Sequence, residues 1–130
     1  MFVDASVFVA ILAEEEDAPR LSASIEHSKD CCTSSLVLLE TTMVLATRLD
    51  KRPTDVEKLL EEAINAMGIA VVPITAEMTG IAVRAFEQYG KGRGHPAQLN
   101  LADCMAYAVA KVRKVPLLYK GNDFAYTDLA

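Results

Sequence analysis

Short apolar runs alternate with longer amphipathic segments along this chain, and this alternation limits the possible folds more than any other feature. Runs rich in apolar and β-branched residues predict strands, and apolar residues spaced three and four apart predict helices. The predicted strands are residues 1–3, 31–34, 69–74 and 115–119. The predicted helices are residues 5–13, 20–27, 36–49, 54–67, 75–89 and 100–114. Because strands that alternate with helices pair in parallel, we expect one α/β domain with a parallel sheet covered on both faces.

Local signals predict several helix ends. The acidic run 14–17 and Pro19 are expected to separate the first two helices. Ser35 and Thr54 are candidate N-cap residues for the helices that follow them, and Gly68 is a natural helix stop. The helix at 36–49 shows an apolar stripe, for which core packing is the default interpretation. Its members are Leu36, Leu39, Met43 and Ala46.

Composition narrows the class of protein. The chain of 130 residues is the size of a single domain, 1–130, and no apolar run approaches the roughly 20 residues of a membrane span. The first residues lack the basic start of a secretory signal, so we expect a cytoplasmic protein without a membrane association. Three cysteines without CxxC spacing are expected to be reduced thiols. The net charge of −5 argues against a general nucleic-acid coat.

Four carboxylates lie where such a fold forms a ligand crevice. Asp4 directly follows the first predicted strand, and Asp123 follows the last one across the turn at 121–122. Ligands of α/β folds bind beyond the carboxyl ends of the strands. Glu40 lies within the apolar helix segment LVLLETTMVL, and Asp103 lies one turn into the helix that contains NLADCMAYAVA. We therefore expect these four side chains to meet at one crevice.

Each carboxylate also has a structural interpretation, and these alternatives stay open at the level of sequence. Asp4 is a possible N-cap of the first helix, and Asp103 could form a capping box with Asn100. Asp123 could be an ordinary turn residue. Glu40 is the hardest to explain structurally, because a glutamate among apolar positions needs a partner and no basic residue lies one turn away.

The four carboxylates together indicate a metal site. Carboxylates around one crevice repel each other and raise each other's pKa values unless a cation joins them. Ligand sets made only of oxygen favour Mg²⁺ or Mn²⁺. An ion of this kind orients a phosphate and lowers the pKa of an attacking water, which is the chemistry of metal-assisted phosphodiester hydrolysis.

Four motifs carry a family resemblance. They are VDAS at 3–6, the mid-helix Glu40 after TSS, NLADC at 100–104 and GNDF at 121–124. In this order, and spread over nearly the whole chain, they closely resemble the PIN-domain ribonucleases, in particular the VapC-type toxins of prokaryotic type II toxin–antitoxin systems. The resemblance implies a three-layer α/β/α sandwich with a small central parallel sheet. It also implies a Mg²⁺- or Mn²⁺-dependent endoribonuclease, a homodimer, and a small VapB-like antitoxin that blocks the site.

The resemblance also implies residue roles. Asp4, Glu40, Asp103 and Asp123 match the family's catalytic acids, and Asp4, Asp103 and Asp123 would be the metal ligands. Ser6 matches a residue that supports the first aspartate, and Asn100 matches one found beside the third. Lys120 directly precedes the turn before Asp123, which makes it a candidate for a phosphate contact.

The expected function is therefore cleavage of an RNA substrate, such as tRNA or rRNA, by water activated at the four carboxylates. Two other functions fit the same residues. One is a metal-dependent DNA nuclease or phosphatase, and the other is a non-catalytic module that binds a basic peptide. Matched RNA and DNA substrates would separate the enzymes, and a binding module would show no metal-dependent turnover.

Overall fold

The computed structural model describes residues 1–130 and contains four short strands and six helices. The strands are β1 (Phe2–Val3), β2 (Cys32–Ser34), β3 (Ala70–Val72) and β4 (Leu117–Leu118). The helices are α1 (Ala5–Leu12), α2 (Ala18–Glu26), α3 (Ser35–Arg48), α4 (Pro53–Met67), α5 (Ala76–Tyr89) and α6 (Leu101–Arg113). Every predicted element is present, with its ends displaced by a few residues.

The sheet has the strand order β3-β2-β1-β4, and all its pairs are parallel. Phe2 of β1 is in register with Cys32 on one side and with Leu117 on the other. The chain thus builds the sheet outward from β1 to β3 and then returns to add β4 beside β1. Crevices form at such a reversal of strand order, here beyond the carboxyl ends of β1 and β4.

The core lies around β1 and the helix that follows it. Phe2, Val3, Val7 and Phe8 are completely buried. Truncation of an aromatic residue in such a position to alanine typically costs about 3–5 kcal/mol of stability. The buried Thr33 hydroxyl donates to the Val3 carbonyl oxygen at 2.9 Å, so β2 and β1 are joined by a side chain as well as by the ladder. The three cysteines are buried free thiols, as predicted.

Three helix starts differ from the sequence prediction. Helix α2 begins at Ala18 and includes Pro19 in its first turn, where a missing N–H is tolerated, so the predicted break at Pro19 is wrong. Ser34 rather than Ser35 caps α3, because its hydroxyl accepts from the Val37 N–H at 3.4 Å. Helix α4 begins at Pro53 with Arg52 in the N-cap position, so Thr54 is a helical residue and not the cap.

The predicted burial of one strand is also wrong. Strand β3 lies at the edge of the sheet, and Ala70 and Val71 are exposed, with 48% of the Val71 surface open to solvent. The sheet is therefore not covered on both faces at this edge.

The apolar stripe of α3 is only partly in the core. Leu39 and Met43 are 56% and 61% exposed. The buried side of the helix contains Val37, Thr41 and Leu45. The Thr41 hydroxyl donates to the Val37 carbonyl oxygen at 2.8 Å, which allows a polar residue to replace an apolar one in the core.

None of the six helices combines the length and the apolar character that crossing a membrane requires.

Candidate active site

Asp4 follows β1 and is the N-cap of α1. Its backbone is extended, and its Oδ2 accepts hydrogen bonds from the Ser6 N–H at 3.0 Å and from the Ser6 hydroxyl at 2.6 Å. The side chain is buried, with 6% of the residue exposed. Oδ2 therefore forms the helix cap that the structural interpretation of Asp4 predicts. Its partner is Ser6, the residue predicted to support the first aspartate.

Asp103 belongs to a complete capping box at the start of α6. The Asn100 side-chain oxygen accepts from the Asp103 N–H at 2.9 Å, and Asp103 Oδ2 accepts from the Asn100 N–H at 3.0 Å. These paired bonds fix the Asp103 carboxylate against the helix start. Asp103 is buried, also with 6% of its surface exposed, and it faces the interior with Ala106 and Tyr107.

Glu40 and Asp123 approach the same place from a helix and from a loop. Glu40 lies in the middle of α3, is half-buried, and forms no ion pair. Asp123 is exposed in the loop after β4, two residues beyond Gly121, whose positive φ of 99° suits a residue without a side chain.

The four carboxylates line one open crevice of about 350 Å³. Ser6, Asn100 and Lys120, the three predicted supporting residues, line it as well. The structure therefore brings together all seven side chains that the sequence analysis selected, whereas their roles in catalysis stay predictions.

The carboxylates perturb one another electrostatically. Burial, and then the charges of Asp123, Asp4 and Glu40, raise the pKa of Asp103 to about 7, against the lowering effect of the Asn100 N–H. Burial also raises the pKa of Asp4 despite its Ser6 hydrogen bonds, with a further contribution from Asp123. The pKa of Glu40 is raised by burial and by the charges of Asp4 and Asp123. Such mutual repulsion is what a bound cation would relieve.

The types of ligand atom in the crevice fit a hard divalent cation, although the side chains do not form a preorganised metal site. No three histidine, cysteine, aspartate or glutamate side chains are placed so that they could hold one ion as they stand. The crevice nevertheless offers only carboxylate oxygens as strong ligands, and two of them are fixed by helix caps. Mg²⁺ commonly binds through a few carboxylates while it keeps several waters, so full convergence is not needed.

Two charged residues of the crevice were missed by the sequence analysis. Glu15 comes from the connection between α1 and α2, and Arg48 comes from the end of α3. Arg48 lies eight residues after Glu40, which is about two helical turns along the same face, so this spacing could have revealed it. No signal distinguishes Glu15 from its neighbours in the run EEED.

Lys120 is engaged by carboxylates in this structure. Its ammonium nitrogen lies 3.1 Å from Glu15 Oε1 and 3.0 Å from Asp17 Oδ1. These two carboxylates raise the pKa of the Lys120 ammonium, since they favour its charged form. The predicted phosphate contact would thus have to compete with two existing ion pairs.

Comparisons with known proteins show the family to which this chain belongs. The family model of the PIN domain matches residues 1–129. Ribonuclease VapC42 of Mycobacterium tuberculosis is 36% identical over 129 residues, which cover 99% of this chain and 96% of that protein. Ribonuclease VapC28 of the same organism is 38% identical over 127 residues, which cover 98% of this chain and 93% of that protein.

Solved structures with the same fold include a toxin and a toxin–antitoxin complex. The crystal structure of M. tuberculosis VapC20, a toxin described as cleaving the sarcin–ricin loop, gives a TM-score of 0.72 at 22% identity. The alignment covers 95% of this chain and 92% of VapC20. A toxin–antitoxin complex from Klebsiella pneumoniae gives a TM-score of 0.72 at 16% identity and covers 98% of this chain and 92% of the matched chain.

The chain belongs to the PIN-domain family. Its similarity to the VapC ribonucleases extends over nearly the full length of both sequences, so the predicted resemblance to VapC-type ribonucleases is confirmed. The predicted α/β fold with a small parallel sheet is confirmed as well.

Proposed function

We propose that this protein is a metal-dependent endoribonuclease toxin, in which Asp4, Glu40, Asp103 and Asp123 form the catalytic site. The observation that carries the proposal is that these four carboxylates line one crevice, where burial and neighbouring carboxylates raise the pKa values of Asp4, Glu40 and Asp103. The relatives named VapC ribonucleases support RNA as the substrate, with tRNA or rRNA as the class to test first. The domain would comprise residues 1–130, and a cytoplasmic location stays a prediction.

The four acids would have two roles in the site. Asp4, Asp103 and Asp123 would hold one or two Mg²⁺ or Mn²⁺ ions, and Glu40 would face them from α3. When bound, such an ion would lower the pKa of the attacking water and neutralise charge on the leaving oxygen. Asp4 and Asp103 keep fixed positions because their cap hydrogen bonds immobilise them. Attack on phosphorus in line with the P–O3′ bond would leave a 5′-phosphate and a 3′-hydroxyl.

The comparisons with relatives also support proposals for the protein partners. The named relatives and the toxin–antitoxin complex with this fold support a VapB-like antitoxin as partner. Exposed apolar side chains on α3 and on α5, among them Leu39, Met43 and Val83, support contact with proteins. A homodimer stays a prediction. An arginine of a partner could occupy the acidic crevice and form bidentate bonds to its carboxylates.

Cleavage of a mixed tRNA and rRNA pool by the purified protein tests the proposed function. We expect discrete fragments with Mg²⁺ or Mn²⁺ and none with EDTA. The Asp103→Asn variant should fall below about one hundredth of the wild-type rate, because it removes a ligand charge from the site. Without metal it should melt at the wild-type temperature or above it, because an asparagine oxygen can still accept the Asn100 N–H.

Three results would contradict this proposal. A folded Asp103→Asn protein that cleaves RNA as the wild type does would remove Asp103 from the site. Faster cleavage of a DNA hairpin than of the matched RNA hairpin would favour the alternative of a DNA nuclease. Binding of metal without turnover on any nucleic acid would favour the non-catalytic binding module.

A further inference from the structure

The connection between α1 and α2 contains four consecutive acidic residues, and only two of them contact Lys120. Glu15 contacts the Lys120 ammonium through Oε1 at 3.1 Å and Oε2 at 3.4 Å. Asp17 contacts the same nitrogen at 3.0 Å. Glu15 also lies 3.7 Å from Arg48 Nη1. Glu14 and Glu16 are exposed and form no ion pair, so the contacts select particular members of the run.

The main chain of Lys120 connects this ion-pair cluster to Asp4. The Lys120 N–H donates to the Ser6 hydroxyl oxygen at 2.9 Å, and the same hydroxyl donates to Asp4 Oδ2 at 2.6 Å. A continuous path of contacts therefore runs from Glu15 through Lys120 and Ser6 to the Asp4 carboxylate. The Ser6 hydroxyl has a single proton, which it donates to Asp4, and the N–H of Lys120 occupies one of the two oxygen lone pairs, which restrains the hydroxyl in this orientation.

The loop that contains Lys120 also contains Asp123. Gly121, Asn122 and Asp123 are all exposed, and the loop is next held in the core by Phe124, which is 1% exposed. The Lys120 side chain thus anchors this loop between β4 and Phe124 together with the main-chain bond to Ser6. Lys120, Glu15 and Asp17 are 36%, 26% and 24% exposed at their side chains, so their ion pairs are less screened than fully exposed ones.

Two roles for the cluster predict opposite effects when Glu15 loses its charge. If Glu15 masked Lys120 from the RNA backbone, the loss would free a cation and strengthen RNA binding. If Glu15 anchors Lys120, the loss would loosen Ser6 and the Asp123 loop and weaken the carboxylate site. The direct bond from the Lys120 main chain to Ser6 favours the second role, because masking alone gives no reason for that bond.

We propose that Glu15 is a positioning residue, which acts through Lys120 and Ser6 to fix Asp4 and the Asp123 loop for metal binding. This inference rests on the proposed function, since it concerns the same carboxylate site. Residues outside the ligand shell that orient ligands typically change metal affinity or activity by about 10–100-fold when they are mutated. Glu15 belongs to this group by its contacts, since its carboxylate binds the side chains of Lys120 and Arg48.

The test compares Glu15→Gln with Glu16→Gln, which removes the same charge from the next residue. Both variants are titrated with Mn²⁺ while their melting temperatures are followed, and RNA cleavage is measured at saturating Mn²⁺. We expect Glu15→Gln to weaken the Mn²⁺ affinity and to lower kcat by about tenfold. The KM for RNA should stay within about twofold of the wild type, since transition-state positioning and not RNA binding is lost. Glu16→Gln should match the wild type in all three quantities.

Two further variants test the path through Lys120. Lys120→Met should cost at least as much as Glu15→Gln, because it also removes the ion pair to Asp17. The double variant should be no worse than Lys120→Met, because Glu15 acts through that ammonium. Lys120→Arg should retain most of the Mn²⁺ affinity, because it keeps the ion pairs. Where Glu15→Gln does not fold by circular dichroism, Asp17→Asn takes its place, since Asp17 holds the same ammonium.

The possible failures are distinguishable. A Glu15→Gln protein that equals Glu16→Gln, or one that binds RNA more tightly and cleaves it faster, overturns the positioning role while the proposed function stands. Additive losses in the double variant overturn the path through Lys120. A folded wild type that neither binds Mn²⁺ nor cleaves RNA overturns the proposed function, and the inference that rests on it falls with it.

Discussion

Asp4 and Asp103 each cap a helix with one carboxylate oxygen while the side chain lines the crevice. Asp4 accepts both of its hydrogen bonds from Ser6 at Oδ2, and Asp103 accepts from the Asn100 N–H at Oδ2. The structural and functional interpretations of these residues are therefore compatible, since the cap determines where the carboxylate points. A residue that is fixed by its own backbone contacts loses little entropy when it binds an ion.

The raised pKa of Asp103 predicts how stability depends on pH without metal. The folded protein keeps the Asp103 proton up to about pH 7, whereas the unfolded chain releases it near the ordinary value of 3.8. The folded state thus binds more protons between these values, so its stability falls as the pH rises. We expect the free energy of unfolding to drop by ~2–3 kcal/mol from pH 5 to pH 8 through this group, measured by urea denaturation in EDTA.

Asp103→Asn is the control for that measurement, because an asparagine cannot ionise. The difference between the wild type and the variant should isolate the contribution of Asp103 from those of Asp4 and Glu40, whose raised pKa values act in the same direction. An equal slope in both proteins would contradict the pKa of about 7.

Residue types and spacing predicted four of the five acids of the crevice but neither Glu15 nor the ion pairs around it. Asp4, Asp103 and Asp123 follow strands or begin a helix, so their positions result from local rules. Glu15 and Arg48 meet only because α1, α2 and α3 pack together, and that packing brings a loop against a helix end. The same packing gives Lys120 two carboxylate partners that its neighbours in sequence do not suggest.

At the level of elements, α3 shows where sequence periodicity misleads. Its segment LVLLETTMVL has apolar residues on every side, so several stripes fit it equally well. The structure buries Thr41 and leaves Leu39 and Met43 exposed, because threonine can satisfy its hydroxyl on the preceding turn. The prediction that strand β3 is buried is wrong for a different reason. A β-branched composition does not distinguish an edge strand from a central one.

Substitution of glycine by alanine should have opposite effects inside helix α5 and at the residue that ends it. Gly80 lies inside α5, and a Cβ there would meet Arg84 Nη1 at an ordinary 3.6 Å, so Gly80→Ala should stabilise the protein by about 0.5–1 kcal/mol. Gly90 ends the helix, and a Cβ there would overlap the ring and the carbonyl oxygen of Phe86. We expect Gly90→Ala to destabilise the protein by about 1–3 kcal/mol.

Urea denaturation of the two variants measures both effects on one scale. Destabilisation by Gly80→Ala would show that α5 does not tolerate the added methyl group. An unchanged Gly90→Ala protein would show that Phe86 moves away at little cost.

In the whole molecule, the strand order explains why acids so far apart in sequence share one crevice. Strand β4 is added beside β1 after the chain has already built β2 and β3 on the other side. The residues that follow β1 and β4 are thereby brought together, although Asp4 and Asp123 lie near opposite ends of the sequence. Alternation of strands and helices predicted a parallel sheet, but it could not specify this order.

Metal binding should stabilise the whole fold, because the site joins β1, α3, α6 and the loop after β4. Free Mn²⁺ at about 100 times its dissociation constant should add ~2.7 kcal/mol to the free energy of unfolding. For a chain of this size that corresponds to a rise in Tm of roughly 8 °C, measured by differential scanning calorimetry.

EDTA should reverse this rise in Tm, and Asp103→Asn should abolish most of it. An equal rise in the variant would place the ion elsewhere on the protein.

The cap hydrogen bonds of Asp4 and Asp103 have a genetic consequence. Asparagine is as good an N-cap as aspartate at Asp4, and at Asp103 its amide oxygen can still accept the Asn100 N–H, so an Asp-to-Asn change at either position removes the charge and keeps the fold. One base change in an aspartate codon is enough to produce it. Under selection against the proposed toxicity, surviving clones would therefore include genes that still encode a full-length, folded and abundant protein, and immunoblots would not distinguish them from the parent.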